Sequence, residues 1–228
     1  MKHSAAGEAQ FAGVVDSGVV HVQTCLAAGG HQYCCRARRG ARPKRREAGL
    51  SATAGKARSV LSMVALISTA RLVLEPFDSI CARALRARLE GDDEREAWVH
   101  LCQALAERPD MTSAWIVYRD GRALGAVAVM LVADTIGEIG FLVLRSERGQ
   151  GYGREAVGAV VRHAFTHMGL HRLAGATPAA DPAAAAVLER CGFQREGLMR
   201  GSYVDGGAHR DCWLHARLAT DQELVLVQ

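Results

Sequence analysis

Between residues 70 and 217 the spacing of apolar positions changes period several times, and each change predicts an element. Residues 70–74 are a short apolar run ended by Pro76, which predicts a strand. Asp78 can cap a helix reaching about Glu90, with Cys81, Leu85 and Leu89 on one face and Gly91 as its stop. Asp92, Asp93, Glu94 and Glu96 crowd the first turn of a second helix, where acids complement the helix dipole. Trp98, Leu101, Cys102 and Leu105 form its inward stripe, and it ends before Pro109. The pattern then becomes that of strands. Residues 113–118, 123–132 and 136–144 form a meander joined by an Asp120-Gly121 hairpin and an Asp134-Thr135 turn. After a loop at 145–153, Ala156, Val157, Val160, Val161, Ala164, Phe165 and Met168 predict a helix over 154–168. A strand at 170–176 follows. Asp181 as N-cap and Pro182 at the first position open another helix, closed by Gly192. Residues 193–204 and 208–217 make a last hairpin over 205–207. The order β-α-α-β-β-β-α-β-α-β-β predicts an α+β fold: a mixed, mostly antiparallel sheet flanked by helices.

Composition fits a globular protein: 228 residues, 49% apolar and 23% charged. Charge changes the picture only when it is divided along the chain. The net charge of +4 arises because residues 1–62 hold ten Lys and Arg against three acids, while the remainder holds 18 against 21. Residues 1–62 also lack sustained periodicity and carry the arginine cluster from Arg36 to Arg46. They are expected to be a disordered basic tail, or residues ahead of a true start at Met63. Residues 63–228 are expected to be one domain. The arginines could touch RNA, yet nucleic acid ranks last as a partner because the domain itself is acidic. No apolar run approaches the roughly 20 residues that span a bilayer, and residues 11–20 make a poor signal peptide. A cytoplasmic protein with no membrane partner is expected. Seven cysteines without framework spacing suggest free thiols. His21, Cys25, His31, Cys34 and Cys35 match no compact zinc spacing, so no metal is expected.

The candidate chemistry lies in Arg148, Gly149, Gln150, Gly151, Tyr152 and Gly153, between an apolar strand and an amphipathic helix. Glycines let a backbone approach a ligand closely. Successive N–H groups at a helix start suit an anion such as a pyrophosphate. No Lys-Ser/Thr follows, so the loop is not a Walker loop. No βαβ unit opens the domain, so it is not a Rossmann fingerprint. A plain glycine-rich connector remains open on the loop alone.

Three segments together are more specific. Residues 138–156, with Glu138, Gly140, Arg148, Gly151, Gly153 and Glu155, resemble the acetyl-CoA-binding motif of the GNAT superfamily of N-acetyltransferases. Residues 187–197, with Gly192, Phe193, Glu196 and Gly197, are similar to that family's second motif. Residues 210–217 resemble the last strand of the Rim-type ribosomal-protein N-terminal acetyltransferases. The resemblance covers about residues 66–220 and occurs in the family's order.

The resemblance implies a GNAT fold whose splayed central strands hold acyl-CoA. Backbone groups of Leu142, Val143 and Leu144 would bind the pantetheine. Arg148, Gly149, Gln150, Gly151, Tyr152, Gly153 and Arg154 would hold the pyrophosphate. Acetyl transfer from acetyl-CoA to an amine needs a base for the amine and an acid for the leaving thiolate. Glu138 is the leading base candidate. Tyr203 stands where ribosomal-protein acetylators can carry a catalytic Glu, and it could donate a proton. Asp211 is a second carboxylate of the pattern, which could orient the amine or pair with an arginine such as Arg200. The usual tyrosine acid of the family is replaced by Leu188. Asp181 and Ala184 stand where Rim-type relatives have Asn and Ser.

The family's acceptor pocket is built from the first two helices and the last hairpin. Here Glu90, Asp92, Asp93, Glu94, Glu96, Asp205 and Asp211 would give it an acidic rim suited to a cationic amine. A protein N-terminal α-amine, ribosomal or other, is the expected acceptor. A polyamine or aminoglycoside, or a non-catalytic acyl-CoA-binding module, are the alternatives. Monomer and homodimer both remain open.

Overall fold

A computed structural model describes residues 19–20, 65–205 and 207–221. Val19 and Val20 excepted, the segment expected to be a basic tail lies outside the described residues, as do Met63 and the His21, Cys25, His31, Cys34 and Cys35 group. The elements run β1 (Val19–Val20), β2 (Ile67–Ser68), β3 (Val73–Pro76), α1 (Ser79–Arg86), α2 (Asp92–Glu107), β4 (Thr112–Arg119), β5 (Arg122–Ala133) and β6 (Ile136–Val143). They continue with α3 (Tyr152–Thr166), β7 (Arg172–Pro178), α4 (Pro182–Arg190), β8 (Gln194–Asp205) and β9 (Ala208–Leu218). The strands form one mixed sheet in the order β2-β3-β4-β5-β6-β7-β9-β8, with β1 added against β6. All neighbours are antiparallel except β6 and β7. No helix among the described residues is long and apolar enough to cross a membrane. Cys81, Cys102, Cys191 and Cys212 are free thiols.

Local chemistry explains most boundaries. Asp78 caps α1 by accepting from the Ile80 and Cys81 N–H groups, both at 2.7 Å. These bonds hold the Asp78 carboxyl below its usual range. Asp120 and Gly121 both take positive φ, 49° and 75°, the backbone a two-residue hairpin requires. Asp181 caps α4, with its Oδ1 accepting from Ala184 N–H at 2.9 Å and Pro182 at the first position.

Both faces of the sheet are covered, so β4 and β5 are buried almost throughout. Their alternation divides two cores. Trp115, Val117, Val127, Val129, Ile139 and Phe141 meet α3 and α4, through residues such as Val157, Val160 and Leu188. Ala114, Ile116, Ala126 and Ala128 face α1 and α2 and meet Leu85, Trp98 and Leu101. The first face carries large side chains and the second mostly alanine. In the register Ala128 lies opposite Gly140 and Ala126 opposite Leu142. Small residues side by side on neighbouring strands leave a small recess of about 20 Å³ beneath α2, lined by Ala97, Leu101, Ala126, Ala128, Gly140, Phe141 and Leu142.

The boundary between the two halves of the sheet is where β6 meets β7. That parallel pair has three rungs: Ile136 with Arg172, Gly137 with Leu173 and Glu138 with Ala174. Beyond Glu138 the strands part while β5 stays on the other edge of β6 to Val143.

β5 approaches β6 tightly near its far end. A Cβ placed on Gly125 would strike the backbone carbonyl oxygen of Leu142, which cannot rotate away as a side chain would. Gly125→Ala is therefore expected to cost about 1–3 kcal/mol. Urea unfolding should show a lower midpoint with an unchanged slope.

Candidate active site

The site begins where β6 ends. A single 3₁₀ turn, Arg145–Glu147, leads to Gly149 and Gly151, both left-handed at φ 76° and 82°. Gly151 is the N-cap of α3 and offers no side chain to its first amides. The first helical bond runs from Glu155 N–H to the Gly151 carbonyl at 3.1 Å. The N–H groups of Gly149, Gln150, Gly151, Tyr152, Gly153 and Arg154 meet no acceptor among the described residues. A Cβ on Gly149 would find nothing within 4 Å, so the loop is open there. Peptide dipoles gathered in this way form a cradle for an anion.

The cradle is braced from two sides. On one, Arg71 donates to the Gln150 carbonyl at 3.1 Å and to Glu155 Oε2 at 2.7 Å. The Thr69 hydroxyl donates to Glu155 Oε1 at 2.6 Å. Burial works against the Glu155 charge, yet these partners hold its carboxyl below the ordinary range. Arg71 and Arg119 also lie over the Tyr152 ring, 4.9 Å and 5.3 Å from its centroid. On the other side, Arg148 turns inward. Its Nε donates to the Val143 carbonyl at 2.9 Å and its Nη2 to Asp93 Oδ2 at 3.4 Å. The Arg148 side chain, expected near the phosphates, is thus engaged with β6 and α2, and the loop presents its backbone.

The parted strands form a slot that leads from the loop to Glu138. Leu144 N–H donates to the Leu124 carbonyl at 3.0 Å. In an antiparallel ladder alternate residues exchange bonds with one neighbour. Leu142 and Leu144 therefore spend their peptide groups on β5, and Phe141 and Val143 turn theirs to the slot, where the Val143 carbonyl is taken by Arg148. Of the three residues named from the sequence, Val143 lies on the open edge, and Phe141 joins it. β1 meets this edge, with Val20 opposite Phe141 and Val19 opposite Leu142.

Glu138 occupies the last paired rung, about 17 Å along the strand from Val143. It is half-buried, and burial pushes its carboxyl above the usual range against the opposing charge of Arg108. Tyr203 lies on β8 opposite Arg210. Burial, together with Cys212, Asp205 and Glu96, pushes its hydroxyl up to about 12, so it stays protonated near neutrality. Asp211 acts on the backbone, and its Oδ1 accepts from the Gly201 N–H at 2.7 Å. Gly201 sits at φ 59° in the irregular stretch of β8 just before Tyr203. Asp211 therefore holds the bulge that carries Tyr203, rather than pairing with Arg200. Leu188 is fully buried beside Gly175, in the core under β7.

Part of the expected acidic rim is consumed, while Glu90 and Glu96 stay exposed. Asp93 pairs with Arg145 at 3.0 Å and Arg148 at 3.4 Å. Asp92 pairs with Arg95 at 2.9 Å, and Asp205 with Arg210 at 3.7 Å. Glu94 is 1% exposed and binds backbone amides. Sequence reasoning treated Glu94 as a surface acid. The signal that could have found it is its place three residues after Gly91, the spacing of a capping box.

Glu138 gives a stability test. A carboxyl whose folded pKa is raised favours folding fully below its unfolded pKa of about 4.3, and that contribution is lost as pH rises through the folded value. Glu138→Gln is expected to raise the urea midpoint at pH 8 and leave it unchanged below about pH 4. Equal midpoints at both pH values would show that Glu138 is not strained by burial.

Comparison with known proteins gives a consistent result. The family described as the acetyltransferase (GNAT) domain matches residues 71–194. A probable N-acetyltransferase of Bacillus subtilis, YjcK, is 31% identical over 107 residues, which are 46% of this chain and 59% of the relative. The chain thus spans less than two thirds of that curated relative. Among solved structures, RimL, a ribosomal L7/L12 alpha-N-protein acetyltransferase in complex with coenzyme A, matches at TM-score 0.58 with 18% identity, covering 68% of this chain and 98% of that one. Spermidine N-acetyltransferase from Vibrio cholerae, in complex with coenzyme A and spermine, matches at TM-score 0.59 with 16% identity, covering 67% and 98%.

Proposed function

The chain belongs to the GNAT acetyltransferase family, and from that premise we propose that it moves an acetyl group from acetyl-CoA to the α-amine of a protein N-terminus. The observation that carries this reading is the row of N–H groups from Gly149 to Arg154 that meet no acceptor among the described residues, set at the mouth of the parted strands. The pyrophosphate fits that cradle, and the peptide edge of Phe141 and Val143 suits the amides of the pantetheine arm. Acetyl-CoA supplies an activated thioester carbonyl. Everything else falls to the chain.

Glu138 takes the proton that the attacking amine must lose, directly or through a water molecule. Its raised pKa brings it closer to neutral pH, where a base works best. The new C–N bond forms as the C–S bond breaks, and the departing thiolate needs a proton. The protonated Tyr203 hydroxyl is assigned as that donor, with Asp211 shaping the strand beneath it.

The charge pattern favours an α-amine over a polycation. Asp93 and Glu94 are tied to the loop and Asp92 and Asp205 are paired to arginines, so of the rim acids on the first two helices only Glu90 and Glu96 stay exposed without an ion pair among the described residues.

Incubation with acetyl-CoA should acetylate peptide N-termini and leave spermidine and aminoglycosides unmodified. Glu138→Gln should lower kcat by about a hundredfold or more. Acetylation of spermidine with unmodified peptides would overturn the acceptor assignment.

The pantetheine arm and β1 call on the same edge of β6, so cofactor binding displaces Val19–Val20. Replacing both by proline in the full chain removes the β1 backbone donors. The acetyl-CoA Kd should fall, about twofold if the pair is half-populated in the free protein. An unchanged Kd would show that β1 does not compete.

A further inference from the structure

We propose that Glu94 is a positioning residue for the acetyl-CoA loop, and that through it the acceptor-side helix α2 sets the loop's geometry. The inference rests on the reading that Gly149 to Arg154 cradle the pyrophosphate.

A carboxylate that is 1% exposed is costly unless every lone pair is used. Glu94 uses its oxygens on three backbone amides in two distant segments at once. Oε2 accepts from Glu90 N–H at 2.8 Å and Gly91 N–H at 3.3 Å. These bonds close the connection between α1 and α2 and complete the ordinary work of an N3 glutamate. Oε1 does something a cap does not need. It accepts from the backbone N–H of Arg145, 51 residues away, at 2.6 Å. Arg145 is the first residue of the 3₁₀ turn that aims the cradle.

The neighbouring charges reinforce the same junction. Asp93 bridges the Arg145 and Arg148 guanidinium groups, and Arg148 Nη2 stands 3.9 Å from Glu94 Oε1. Arg148 returns to β6 through the Val143 carbonyl. The turn is also held at Glu147, which accepts from Arg88 at 2.7 Å. The residues that lead into the cradle are therefore anchored to the acceptor-side helices by a buried carboxylate and its ion pairs. The cradle's own amides stay unengaged. Because those amides act only where they point, a small rotation of the turn would misalign several together.

Glu94→Gln separates capping from loop positioning. A glutamine carbonyl can still cap Gly91, but its NH₂ would face the Arg145 N–H and the Arg148 guanidinium, donor against donor. The expected result is an acetyl-CoA Kd and KM raised about tenfold, with kcat at saturation and acceptor KM within about twofold. In the cofactor-free protein, the Arg145 amide should exchange hydrogen about tenfold faster. Asp93→Asn provides a second variant, expected to shift the acetyl-CoA KM in the same direction by a smaller factor. If Glu94→Gln binds acetyl-CoA with unchanged Kd, or if kcat and both KM values degrade together, the positioning role is overturned. If Glu94→Gln does not fold and Asp93→Asn leaves the acetyl-CoA KM unchanged, it is likewise overturned. If the unaltered chain itself fails to bind acetyl-CoA, the loop reading falls, and this inference with it.

Discussion

A backbone N–H or C=O that leaves its ladder must find another partner, and this constraint organises the whole molecule. Over most of the sheet it is met by neighbouring strands. Among the described residues it is left open at the junction where β6 parts from β7 after three rungs and the chain then enters a helix whose first amides have no side-chain cap. The edge at Phe141 and Val143, whose carbonyl Arg148 takes, and the amides from Gly149 to Arg154 are consecutive parts of one surface. β1 meets part of that surface, as an extended segment would. A long substrate with amides at one end and phosphates at the other meets the rest.

Charge is arranged to leave those dipoles in command. The arginines flanking the loop are neutralised locally: Arg148 and Arg145 by Asp93, Arg71 by Glu155, Arg88 by Glu147. The loop is stiffened by these pairs more than it is made positive. The same pairs withdraw acids from the acceptor side, so one set of contacts shapes both ends of the proposed reaction. The whole-chain charge of +4 says little about this site, because its excess of bases lies in residues 1–62.

Much of the fold was legible residue by residue. Alternation in β4, β5 and β6, the Asp120-Gly121 hairpin, and the Asp78 and Asp181 caps all appear where their chemistry predicted. The departures have local causes. The first helix stops at Arg86 rather than near Glu90, because Glu94 captures the Glu90 and Gly91 amides and turns the chain early. The third helix begins at Tyr152 rather than Arg154, because left-handed Gly151 acts as its cap. It stops at Thr166 rather than Met168, because Met168 and Leu170 donate back to His163 and Ala164 around left-handed Gly169. β2 is two residues long and gave no periodic signal.

The sequence by itself determined the element order, the α+β class, the glycine loop before an amphipathic helix, and the motifs that resemble one acetyltransferase family. These depend on near neighbours, where spacing and residue type carry the physics. The tertiary structure decided which peptide groups face the slot, since strand parity is known only once β5 is in register. It also decided that Arg148 turns inward, that Asp211 supports a bulge, and that Glu94 is buried rather than part of an acidic rim. Each of these is a pairing between residues far apart in the chain. A charged side chain near the surface shows no preference in sequence for solvent, a helix cap or a distant amide until the partner is brought within hydrogen-bonding distance.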